Sequence, residues 1–232
     1  MALKKLSILI PVFNEALTIL TLCESINNFS DNGFEKEVIV VDDCSTDGTT
    51  VILRNFIAKH PLWKMVTHTR NKGKGAAVRT ALALATGDAV IVQDADMEYN
   101  PEDIKKLVVA FTGSNAVFGS RNLTHNHYSY RSYYLGGYIL TKIFSLLYGC
   151  AATDMLTCYK LLATDTMRQL QLQSRGFAIE AEISAKLARY DVPVHEVPIS
   201  YHSRTKEQGK KIRPTDAFAI LATLIRYRFF EK

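Results

Sequence analysis

Short apolar runs and helically spaced segments alternate through the first half of the chain. Leu6 to Val12 is an apolar run closed by proline and predicts a buried strand; Ala16 to Asn27 follows with Leu17, Leu20 and Ile26 at helical spacing. EVIVV at 37–41 predicts a second, β-branched strand, and the helix after it runs through His60. Lys64 to His68 makes a third strand, the alanine-rich stretch from Gly75 to Ala85 a helix closed by Gly87, and AVIVQ at 89–93 a fourth strand. Pro101 starts a helix that runs to Phe111, and Ala116 to Gly119 is the fifth strand. Strands that are apolar throughout and alternate with helices predict an α/β fold, a mostly parallel central sheet with helices on both faces. Beyond Leu123 the alternation weakens. Two segments stand out there: the tyrosine-rich run Tyr128 to Gly149, and residues 214–230, where Phe218, Leu221, Ile225 and Phe229 are close to helical spacing.

Composition changes this picture little. With 47% hydrophobic and 22% charged residues, 12 Gly and 6 Pro, the chain is neither disordered, collagen-like nor coiled-coil. Its 232 residues suit one large domain, 1–232, that folds without a disulfide or metal staple. Cys23, Cys44, Cys150 and Cys158 form no CxxC pair and no Cys/His metal spacing, so they are expected to be reduced thiols in a cytosolic protein. The start, MALKKLSILIPVFNE, meets Pro11 too early for a signal peptide, and no stretch reaches the roughly 20 apolar residues needed to span a bilayer. The net charge of +5 is uneven: HSRTKEQGKKIR at 202–213 carries Arg204, Lys206, Lys210, Lys211 and Arg213 against Glu207 alone. Such a segment attracts phosphates, or is simply a solvated loop.

In parallel sheets ligands bind beyond the carboxyl ends of the strands. The polar clusters fall there: PVFNE, DDCSTDGT, RNKGKG, DADME and GSR follow the five strands in turn. Asp94 and Asp96 are two apart on a chain leaving a strand, so both carboxylates reach one side, and Glu98 continues the series. Two or three carboxylates completed by phosphate oxygens suit a hard divalent cation, Mg²⁺ or Mn²⁺. The alternative is a capping aspartate beside a solvated one. Phe13 and Glu15 are placed to stack under a base and meet its edge, or to open a helix with an acidic first turn. RNKGKG matches neither glycine-rich phosphate loop; it is a turn, with Lys74 or Arg79 as possible phosphate neighbours.

The ordered set PVFNE, VVDDCSTDGT, NKGKG, DADME and FGSR resembles the family 2 glycosyltransferases, most closely the dolichol-phosphate mannose and dolichol-phosphate glucose synthases. The resemblance runs from Leu6 to about Arg213. It implies a GT-A (Rossmann-like) fold, a nucleotide-sugar donor, a divalent metal and a polyprenyl-phosphate acceptor. By position it implies that Pro11, Phe13, Glu15, Val41 and Asp43 hold the nucleoside, and that Asp94, Ala95, Asp96 and Glu98 hold metal and diphosphate. Arg121 would lie near sugar and acceptor, and Arg204 with Lys210 would close over the phosphates. The chain departs from the pattern at Cys44, where the family usually has Gly, and at TCYK, residues 157–160, in place of S/C-G-F-R/K.

The expected activity is inverting transfer of mannose or glucose from GDP-mannose or UDP-glucose to a polyprenyl phosphate. An acceptor phosphate is already anionic at pH 7 and needs no protein base, and Arg121 and Arg131 are the candidates to hold it. The alternative, a family 2 enzyme acting on a sugar hydroxyl, requires a carboxylate base; Asp154, Glu180 and Glu182 are available. A sugar nucleotidyltransferase lacks support, since PVFNE has no glycine, and a non-catalytic membrane module would not require Asp94 and Asp96 together. A lipid acceptor implies peripheral attachment at the cytoplasmic face of a membrane, through Tyr128 to Gly149 and an amphipathic helix at 214–230, or through a membrane partner subunit. Nucleic acid is not an expected partner.

Overall fold

The computed structural model describes residues 3–29 and 33–231; the first two residues of the MALKK start lie outside them. Seven strands form one sheet: β1 (Lys5–Val12), β2 (Glu35–Asp42), β3 (Trp63–Thr67), β4 (Ala89–Val92), β5 (Ala116–Ser120), β6 (Lys160–Ala163) and β7 (Val194–Pro198). Their order is β3-β2-β1-β4-β6-β5-β7. β6 runs antiparallel to both of its neighbours, and every other pairing is parallel. The helices are α1 (Ile19–Asn28), α2 (Thr49–Ile57), α3 (Lys74–Leu84), α4 (Ile104–Ala110), α5 (Arg131–Tyr148), α6 (Thr164–Gln169), α7 (Ile179–Arg189) and α8 (Asp216–Phe229). The five strands and four helices expected before Leu123 are all present, with ends shifted by three residues or fewer.

The central strands are apolar because both faces are covered. Leu6, Ile8, Leu9 and Ile10 of β1 and Val90 and Ile91 of β4 are completely buried, and each such side chain contributes about 1.5–3 kcal/mol. α3 lies close on β1 because Ala77 and Ala81, both buried, keep its inner face shallow. A second apolar cluster joins α5, α7 and α8 through Leu140, Phe144, Ala181, Ala185, Ile220, Leu224 and Tyr227. It divides α8 into two faces. Ile220, Leu224 and Tyr227 pack inward, whereas Phe218, Ile225 and Phe229 of the stripe noticed in the sequence are exposed and Leu221 is half-buried. α5 likewise exposes Leu135, Ile139 and Leu146.

Register brings the polar loops together. Val12 pairs with Asp42, and Asp42 with Thr67, so the chain leaves β1, β2 and β3 at one level. Phe13, Asp43 and His68 therefore share one edge of the sheet. Among the described residues, three of the five non-glycine residues with left-handed backbone lie in the loops that leave β1, β2 and β4: Asn14 (φ 49°), Cys44 (φ 66°) and Met97 (φ 60°). Backbone strain of this kind collects where loops are shaped for binding.

Candidate functional site

The β4 strand delivers Gln93, Asp94, Ala95 and Asp96 to the sheet edge. Asp94 is neutralised by Lys74, the first residue of α3, whose Nζ lies 2.7 Å from one carboxylate oxygen and 2.9 Å from the other. Lys74 in turn lies 3.1 Å from Glu180 on α7, and Glu180 lies 2.8 Å from the buried Lys160. Burial works against the Lys74 charge but is outweighed by Asp94, Cys158 and Glu180, which hold its ammonium well above the ordinary lysine range. Among the described residues Asp96 has no such partner. Burial, Asp94 and Glu98 push its carboxyl up to about 7, against the opposing effect of Arg204 and the Glu98 backbone N–H. An acid raised this far marks a place short of positive charge.

That shortage fits a divalent cation held by Asp94 and Asp96. Among the described residues no group of three or more His, Cys, Asp or Glu side chains converges to hold a metal, so the other ligands would have to be donor phosphates and water. Glu98, grouped with the two aspartates in the sequence, is turned elsewhere. Its carboxylate accepts from the Tyr201 hydroxyl (2.5 Å), the Arg204 backbone N–H (2.7 Å) and Lys210 (2.9 Å). The chain has already left the extended strand at Val92, turns at Ala95–Asp96 and takes a left-handed residue at Met97 before Glu98, so the strand alternation does not reach it.

The basic segment lies across this edge. Arg204 donates from Nε to the Asp96 carbonyl (2.7 Å) and from Nη2 to Glu15 (2.6 Å). Lys211 adds a second cation to Glu15 and donates to the Phe13 carbonyl. Arg204, Lys210 and Lys211 thus surround the mouth formed by Phe13, Glu15 and Asp96. Phe13 is half-buried. Pro11 and Val41 are buried within β1 and β2, and Val41, with no exposed surface, offers a ligand no side-chain contact. The Asp43 carboxylate is taken up by His68 Nδ1 (2.6 Å) and by the backbone N–H groups of Lys72 and Gly73 (2.9 and 2.6 Å), so it shapes the β3–α3 loop. Ala95 is buried, and its carbonyl accepts from Thr18.

Beyond β5, Arg121 makes a two-pronged pair with buried Asp154, Nε to one oxygen at 2.6 Å and Nη2 to the other at 2.7 Å. Asp154 is fixed because Glu196 of β7 accepts from the backbone N–H groups of Thr153 and Asp154. The guanidinium lies 5.0 Å from the Tyr201 ring, and Nη1 remains outside the Asp154 pair. Arg131, the other candidate for an acceptor phosphate, is exposed as the first residue of α5 and makes no ion pair among the described residues. The residues that sequence alone missed are His68, Glu180 as a charge partner, Lys160, Tyr201 and Lys211's grip on Glu15. Of these, Lys211 carried a signal, as a lysine in the basic segment 202–213.

Residues 7–148 match the family model described as glycosyl transferase family 2. The chain is 31% identical over 211 residues to a dolichol-phosphate mannosyltransferase of Pyrococcus furiosus, covering 89% of this chain and 59% of the relative. It therefore spans less than two thirds of that relative's length. It is 27% identical over 237 residues to the dolichyl-phosphate beta-glucosyltransferase of Mus musculus, covering 91% of this chain and 70% of that one. Among solved structures, glucosyl-3-phosphoglycerate synthase of Mycobacterium tuberculosis in complex with Mn²⁺, UDP and glucosyl-3-phosphoglycerate superposes with a TM-score of 0.74 at 21% identity. That match covers 99% of this chain and 81% of the other.

Proposed function

The chain belongs to glycosyl transferase family 2 and has the GT-A fold, and from that premise we propose that it moves a hexose, with inversion, from GDP-mannose or UDP-glucose to a polyprenyl phosphate. The observation that carries the choice of acceptor is the state of the three carboxylates open to act as a base. Asp154 is clasped by Arg121, and Glu180 is neutralised by Lys160, which donates to Oε2, and by Lys74, which lies 3.1 Å from Oε1 without hydrogen-bonding it. Glu182 accepts from two backbone N–H groups, Lys186 and Tyr227. A sugar hydroxyl would need one of them free, whereas a phosphate, with its second pKa near 6, attacks unaided.

In this reading Phe13 stacks under the nucleobase, and Arg204, Lys210 and Lys211 bring positive charge to the diphosphate. Asp94 and Asp96 would hold Mg²⁺ or Mn²⁺, which when bound supplies Lewis-acid neutralisation of the leaving group. Mn²⁺ or Mg²⁺ accompanying UDP in the M. tuberculosis synthase supports this use of the site. Arg121, through Nη1, and Arg131 orient the acceptor phosphate, since guanidinium matches phosphate geometry. The whole of 1–232 works as one catalytic domain.

Among the described residues no helix is long and apolar enough to cross a membrane. The exposed Leu135, Ile139 and Leu146 of α5 and Phe218, Phe229 and Phe230 at α8, with Arg131 and Arg228 among them, support peripheral attachment at the cytoplasmic face. Co-sedimentation with anionic vesicles at low salt checks this. A chain left in the supernatant would assign the two helices to a partner subunit. The reaction is tested by incubating the chain with radiolabelled GDP-mannose and UDP-glucose plus a polyprenyl phosphate. Label in the organic phase is expected; label only on a soluble glycan would overturn the acceptor.

A further inference from the structure

We propose that a cleft bordered by the β3–α3 loop, α3 and the loop before α7 is a second anion site, which takes a ligand bearing two or more phosphates. This inference does not rest on the transferase reading. The cleft has a volume of about 480 Å³ and is lined by Arg70, Asn71, Lys72, Ala76, Arg79 and Arg175. It shares none of these with Phe13, Glu15, Asp43, Asp94 or Asp96. Four of the six residues are cations and none is an acid, and none of the four makes an ion pair among the described residues. Like charges gathered in this way repel, and a polyanion seated among them relieves the repulsion.

The cluster is built into the fold. The Arg175 carbonyl accepts from the backbone N–H of Gly75 (2.7 Å) and of Ala76 (3.4 Å), and Arg79 donates to the Ser174 carbonyl. The two chain segments touch so closely that a Cβ on Gly73 would lie 2.5 Å from the Arg175 oxygen, and one on Gly75 2.2 Å from the Ser174 oxygen. Only glycine fits at both positions, and the contact fixes Arg175 relative to Arg70, Lys72 and Arg79. Because the Arg175 carbonyl already occupies the first N–H groups of α3, the positive character of the cleft comes from side chains. The lining has no aromatic ring to stack a base and no carboxylate to meet one. It recognises phosphate oxygens, and its volume suits a small polyphosphorylated molecule better than a single phosphate.

The test is calorimetric titration of the full chain with inorganic tripolyphosphate in metal-free buffer. The variant is Arg70→Gln/Arg175→Gln, at two exposed side chains that make no hydrogen bond of their own among the described residues. Lys72→Gln is the substitute should the pair fold poorly. The double variant is expected to bind at least tenfold more weakly and with a shallower salt dependence. Asp96→Asn should bind as wild type does. A parallel arm compares wild type and variant on phosphatidylcholine vesicles containing phosphatidylinositol bisphosphate. Loss of vesicle retention together with tripolyphosphate binding identifies a lipid headgroup as the source, and loss of tripolyphosphate binding alone a soluble phosphate ligand. Unchanged binding by the variant, or full displacement of tripolyphosphate by GDP or UDP with Mn²⁺, would overturn a separate site.

Discussion

Glu180→Gln removes one charge from a row of four, Asp94, Lys74, Glu180 and Lys160, which is neutral as a whole and buried at Glu180 and Lys160. Glu180 stands 3.1 Å from Lys74 and 2.8 Å from Lys160. At an effective dielectric constant near 20, each of those pairings is worth about 5–6 kcal/mol of Coulomb energy, most of it offset by the desolvation of the ions. After the substitution Lys74 still has Asp94, but Lys160, whose side chain is 1% exposed, keeps no carboxylate and is left with the Thr157 carbonyl and the Phe118 ring. An uncompensated buried ammonium costs about 3–5 kcal/mol, a large part of the roughly 5–15 kcal/mol that holds a domain together. The melting temperature should therefore fall by about 6–20 °C. Adding Lys160→Met restores neutrality and should recover at least about half of the loss. Thermal unfolding by circular dichroism, run beside the transfer assay, decides the matter. If Glu180→Gln melts within about 2 °C of wild type yet loses activity, Glu180 is a base and the case for a phosphate acceptor fails.

Asp96→Asn should leave the fold intact and lower transfer by about 10²-fold or more, because it removes charge aimed at the leaving group; full activity in the variant, or in wild type with EDTA, would sink the metal assignment. The raised Asp96 acid gives a pH signature. The folded protein keeps this proton to about pH 7, whereas an unfolded chain releases it near 4, so without metal stability declines as pH rises through that window. By the same linkage Mn²⁺ must displace the proton, and its apparent affinity should drop about tenfold per unit below pH 7; a flat profile would mean Asp96 is not a ligand. Cys44→Gly should raise the urea midpoint by an amount worth about 0.5–1 kcal/mol, since glycine adopts the φ of 66° without strain, and a lower midpoint would contradict that account. Glu98→Gln weakens the hold on Lys210 and should speed proteolysis between Arg204 and Lys211 while changing Mn²⁺ affinity less than about threefold. A tenfold loss of Mn²⁺ affinity would restore Glu98 to the metal.

The first five strands and their helices were legible in the chain because strands buried on both faces leave uninterrupted apolar runs, a local signature. β6 and β7 left none. KLLA is four residues long, and VHEVP, half exposed at the far edge of the sheet, mixes polar and apolar positions. The same division holds at the site. Asp94 and Asp96 are close in sequence, and both lie in the loop that leaves β4 at Val92. Glu98 could not be assigned, because the turn through Ala95, Asp96 and Met97 redirected it toward cations more than a hundred residues away. The pairings of Lys74 with Glu180, Arg121 with Asp154 and Lys211 with Glu15 join distant segments. Nothing local distinguishes these charged side chains from solvated ones; they become partners only when the strand order sets their loops side by side and burial makes an unpaired charge too costly.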